Sequence, residues 1–104
     1  MLRREDKKIM DIMKLCYEMA EKLRPYGEPY MSEFSKDFVN SAIRAGEPSV
    51  AIDAYLVEAW LHKSAPKELL IEAYNLLEPY ECGDIHDDIA DDLGVQRKVH
   101  SPDE

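Results

Sequence analysis

The chain predicts an all-α protein: a compact bundle of four to five helices around a buried central helix at about residues 48–63, with no sheet. Three observations carry that prediction. From Val50 to Leu61 only Asp53 and Glu58 interrupt a run of apolar residues, and these point in nearly every direction around a 3.6-residue turn, so other elements must enclose this helix. The apolar residues elsewhere recur at steps of three and four. No stretch alternates polar with apolar as a strand does.

The first helix is expected from Arg4 to Leu23, with Ile9, Ile12, Met13, Cys16, Met19, Ala20 and Leu23 as its buried stripe. Met10, Leu15 and Tyr17 broaden that stripe. Pro25, Gly27 and Pro29 are expected to stop the helix and form a turn-rich link. Ser32 is a good N-cap for a second helix, whose buried stripe reads Phe34, Phe38, Val39, Ala42 and Ile43. Gly46 suits the left-handed position after its last turn. The link to the central helix is so short that the two helices should be antiparallel neighbours. Glu47 and Pro48 fit the first turn of the central helix, through the dipole and the fixed proline φ.

Ser64 is expected to cap a fourth helix with Pro66 in its first turn, an apolar face of Leu69, Leu70, Ala73, Leu76 and Leu77, and an end at Pro79. Asp84 is expected to cap a short fifth helix with Asp87 three residues on. Ile85, Ile89 and Leu93 form its seam and Gly94 closes it. Residues 1–94 thus read as a single helical domain, and residues 95–104 as a polar C-terminal tail.

The 104 residues suffice for one core. No apolar run approaches the ~20 residues of a membrane span, and the N-terminus lacks the apolar segment of a signal peptide, which places the protein in the cytoplasm. There the two cysteines, Cys16 and Cys82, are expected to stay reduced. Charge is uneven: residues 1–46 hold nine Lys/Arg against eight Asp/Glu, and residues 47–104 hold four against fourteen. A surplus of this sign repels nucleic acid and anionic membranes and favours a basic partner. Arg3, Arg4, Lys7 and Lys8 are diluted by Glu5 and Asp6, a weak signal for a nucleic-acid arm.

The sharpest constellation is acidic. Asp84, Asp87, Asp88, Asp91 and Asp92 fall at helical steps of three and four, which gathers them on one face. Glu78 and Glu81 lie just upstream, and no Lys or Arg stands between Glu68 and Val95. Like charges so spaced destabilise an isolated helix by ~0.2–0.5 kcal/mol per pair. Either the face is merely solvated, or it is kept for a basic protein partner. The ligand order of a calcium loop is missing. Cys82 and His86 stand four apart without the further ligands of a zinc site, so no metal is expected. No phosphate loop, nucleophile elbow or HExxH pattern occurs, so neither catalysis nor a cofactor is expected. No residue pattern specifies an oligomeric state.

Gly46, Ala51, Ile52 and Tyr55 resemble the second half of a tetratricopeptide-type unit, but there is room for one unit where a solenoid needs at least three. The segment from Phe34 to Leu93 resembles the small acidic immunity proteins of bacterial polymorphic toxin systems, especially those of Maf-type toxins. The similar features are a helix ending in AGEP (Ala45 to Pro48), an alanine-rich apolar helix, a short polar link, a leucine helix and an acidic end. The first helix lies outside that match. The resemblance implies a non-enzymatic bacterial protein that binds and neutralises a cognate toxin. A nuclease toxin, basic because it binds phosphates, would be met by the acidic residues as a substrate mimic. The alternative is a helical adaptor or regulatory subunit.

Overall fold

The computed structural model describes residues 4–98, and side-chain surroundings from 11 to 98. Among the described residues there are five α-helices and no strand: α1 (Arg4–Gly27), α2 (Glu33–Arg44), α3 (Pro48–His62), α4 (Lys67–Leu76) and α5 (Asp84–Leu93). Single 3-10 turns follow α1 (Glu28–Tyr30) and α4 (Pro79–Glu81). The expected all-α bundle is therefore the observed one, and α3 is its centre. It packs against α1 most extensively and also against α2, α4 and α5. Ala51, Ile52, Tyr55, Leu56 and Ala59 on α3 are buried, joined in the core by Leu23, Val39, Tyr74, Leu77 and Ile89 from its four neighbours and their ends. Cys16 and Cys82 are free thiols inside this core, where burial pushes both thiols up from their ordinary value.

The helix ends follow from local chemistry. Ser32 caps α2 by accepting the Ser35 N–H at 3.1 Å. The α2 end closes with Gly46 N–H on Ile43 O and Glu47 N–H on Ala42 O, and Gly46 takes φ +86°, the paired bonds that a left-handed residue permits. Gly94 closes α5 in the same way, with Val95 N–H on Ala90 O. At the end of α3 the left-handed residue is Lys63, at φ 52°.

Three expectations about ends need correction. The helix α1 does not stop at Leu23 but runs through Pro25 to Gly27. Its last residue, Gly27, lies against α3: a Cβ there would lie 2.7 Å from Tyr55 Cα and 2.8 Å from Tyr55 O, so the α1 and α3 backbones touch where a larger residue would part them. Ser64 does not cap α4. Its hydroxyl donates to Tyr26 O at 2.6 Å and ties the α3–α4 turn to the end of α1, while Pro66 precedes α4 without a side-chain cap. Asp84 is the first residue of α5 and not its cap, which is Gly83.

Three expected stripes also change. On α1, Ile12 and Leu15 are exposed, and the first buried side chain among the described residues is Cys16, while the side chains of Ile9 and Met10 lie outside the described residues, as do those of Arg3, Arg4, Lys7 and Lys8. On α2, Val39 and Ala42 are buried, but Phe34 and Phe38 are 82% and 61% exposed. The reason is that α2 turns Val39, Ala42 and the partly buried Ile43 to the core and meets α1 through Arg24 to Asn40 and Tyr17 to Ile43 O, which leaves the Phe34–Phe38 edge outward. On α5, Ile85 is exposed and His86 takes the inward place beside Ile89, Ala90 and Leu93. Residues 95–98 run back along α4: Lys98 N–H donates to Tyr74 Oη at 3.0 Å and Lys98 Nζ to Asn75 O at 3.1 Å. The rest of the predicted tail lies outside the described residues.

Candidate functional site

The acidic residues of α5 and of the turn before it separate into two groups. Asp91 faces Arg97, whose Nε donates to it at 2.9 Å. That contact holds the Asp91 carboxyl below its ordinary range. Asp92 accepts the Trp60 indole N–H at 2.9 Å, which fastens α5 to α3. Glu81 accepts the Glu78 N–H at 2.9 Å and shapes the 3-10 turn. Asp87 is half-buried. Asp84 and Asp88 remain: both are exposed, one turn apart, and neither makes a hydrogen bond or ion pair among the described residues. The Glu78 side chain, ahead of the 3-10 turn, is exposed. The counter-charge that the primary structure lacks between Glu68 and Val95 thus arrives from Arg97, which bonds to Asp91 and whose field also takes in Asp87 and Asp88.

A buried relay connects this helix to the centre of the bundle. The Gly83 N–H donates to His86 Nδ1 at 2.9 Å, so that ring nitrogen carries no proton and the ring is the Nε2–H tautomer. Nε2 then donates to Asp53 Oδ1 at 2.6 Å. One side chain, 6% exposed, satisfies an orphan N–H at the start of α5 and anchors a carboxylate from α3. Both ring nitrogens are engaged, so His86 is a positioning group with no lone pair free for proton transfer to a substrate.

Asp53 faces outward as well as toward His86, with its side chain 36% exposed. It lines a groove of about 320 Å³ between α2 and α3 whose other walls include Phe34, Phe38, Val57 and Glu58. Lysine and arginine are missing from that lining. The groove was not foreseen. Asp53 stood out in sequence as a charge inside an apolar helix, and His86 only as a histidine four residues after Cys82. Nothing in the primary structure says that the two meet. Among the described residues no three His, Cys, Asp or Glu side chains converge to hold a metal ion, and no helix is long and apolar enough to cross a membrane. No family model, curated protein or solved structure matches this chain.

Proposed function

We propose that the chain is a non-enzymatic inhibitor that binds a basic protein, in the manner of an immunity protein against a cognate toxin of the nuclease class. The observation that supports this most is the pair Asp84 and Asp88, exposed and without a hydrogen bond or ion pair among the described residues, on a half-chain rich in acid. A nuclease gathers Lys and Arg to hold phosphates. Carboxylates at one-turn spacing offer the same cations an alternative anion, and a helix laid there keeps the nucleic acid out. Such a field acts at a distance, speeding encounter and rejecting acidic partners. Its reach shrinks to about 3 Å at 1 M salt.

The test starts from the gene beside this one. Its product is expressed under a repressible promoter, with and without this chain, and growth is scored. Rescue by the parent that falls away in Asp84→Asn/Asp88→Asn supports the proposal. A toxic neighbour that this chain does not silence, or a double variant that protects equally well, overturns it. A helical adaptor for a partner held by apolar contacts is the second reading, favoured by the exposed Phe34 and Phe38. Association that is insensitive to salt would support it over the first.

A further inference from the structure

The groove between α2 and α3 combines features that a solvated surface does not need. Phe34 and Phe38 are one helical turn apart on α2 and both stand largely in solvent, so α2 presents an aromatic edge that no described element covers. Opposite them, α3 contributes Ala54 and Val57 together with two acids, Asp53 and Glu58. The Asp53 carboxylate is held in place from behind by His86 Nε2 at 2.6 Å. Glu58 lies 3.4 Å from His62 Nε2. An apolar strip beside fixed negative charge has a definite complement.

Resting on the reading of the chain as a protein-binding inhibitor, we propose that this groove receives one amphipathic helix of the partner, its apolar anchors on Phe34 and Phe38 and a lysine or arginine on Asp53. Three considerations select that occupant. A small ligand needs a concave site that buries most of its surface, and a wall that is itself mostly exposed does not enclose one. A second copy of this chain would bring its own Asp53 and Glu58 and its own surplus of acid to the same place, which like-charge repulsion opposes. A helix supplies anchors at steps of three and four that match the one-turn spacing of Phe34 and Phe38. Asp53 also links the groove to α5 through His86. The groove supplies affinity through apolar contact, and the acids supply orientation and partner choice.

The probe is a short, fluorescently labelled synthetic helix built only of leucine and lysine, with leucines along one face. A control peptide carries serine at every leucine position and the same charge. Binding is followed by fluorescence polarisation at about 0.15 M salt, where the screening length is ~8 Å. The parent should bind the leucine peptide and not the serine one. Phe34→Ser/Phe38→Ser should weaken binding by about tenfold or more, as loss of central apolar anchors does, and Asp53→Asn should weaken it less while still accepting the His86 N–H. Both phenylalanines are exposed, so the double variant should keep the parent's unfolding midpoint. Equal binding of the leucine peptide to parent and Phe34→Ser/Phe38→Ser overturns the proposal, as does equal binding of the two peptides. So does a parent dimer in sedimentation that the same double variant takes apart, since the groove would then belong to a second copy. The growth assay with Asp84→Asn/Asp88→Asn is read separately, so failure of the groove is distinguishable from failure of the inhibitor reading.

Discussion

At the scale of single residues, the close approach of α1 and α3 is decided by Gly27. Alanine is the better helix former by about 1 kcal/mol, and α1 is helical through that position. Propensity alone would therefore make Gly27→Ala stabilising. Sterics point the other way, because the new methyl would sit under 3 Å from the Tyr55 Cα, O and Cβ. Two of those are backbone atoms in the middle of the central helix and have no rotamer through which to move aside. Overpacking of this kind costs about 1–3 kcal/mol. We expect Gly27→Ala to destabilise the protein by about 1–2 kcal/mol net in urea unfolding, and a variant more stable than the parent would show that the helices part freely. Pattern reading gave Gly27 the role of a helix stop. Its identity was legible and its purpose was not, because the residue that excludes a side chain lies on another helix.

At the scale of elements, α5 is held by its inward histidine. A short helix with five aspartates has little stability of its own. It is docked through Ile89, Ala90 and Leu93, and its two ends are fastened to α3 by His86–Asp53 and Asp92–Trp60. His86→Ala removes the acceptor of the Gly83 N–H and the donor to Asp53 together. A buried polar group left without its partner costs about 1–3 kcal/mol, and we expect a loss in that range, accompanied by faster amide exchange in the first turn of α5. A change below half a kcal/mol by the same measurement would mean that the relay is decorative. The amphipathic pattern of α5 was readable from Ile89 and Leu93, yet Ile85 had been assigned the place that His86 holds. On apolarity isoleucine outranks histidine. The ranking reverses here because α3 offers a carboxylate at that height, and a neutral imidazole can satisfy both it and a backbone amide.

At the scale of the whole molecule, a net charge of −9 works against the compact state. The ion pairs present are mostly partly or fully exposed, and exposed pairs contribute only about 0–1 kcal/mol each. Screening therefore weakens a few small attractions and one larger, distributed repulsion. Raising sodium chloride from low ionic strength toward ~0.5 M should raise the midpoint of thermal unfolding, with the screening length falling below ~8 Å. A midpoint that drops with salt would mean that the local pairs outweigh the general repulsion. The same charge that opposes folding is what a basic partner would relieve, so binding and stability are expected to respond to salt in opposite directions.

What the amino-acid order determined by itself was whatever depends on neighbours a few positions away. The Ser32 cap, the left-handed glycines at 46 and 94, and the helix from Pro48 to His62 itself are local in this sense, although that helix is not enclosed all round, since Leu61 is exposed and Ala54 and Val57 line an open groove. So is the gathering of acids on α5, since helical periodicity alone fixes which side chains share a face. Tertiary structure decided which of those faces met a partner. It left Phe34 and Phe38 uncovered because α2 turns Val39 and Ala42, not these two, toward the core. It returned Arg97 to Asp91, and left Asp84 and Asp88 exposed without a hydrogen bond or ion pair among the described residues. It set His86 behind Asp53 across 33 positions of chain. Periodicity specifies directions around one helix axis, whereas a site depends on the distance between two axes. That distance was set by the packing of α3 against its neighbours, down to the missing side chain at Gly27.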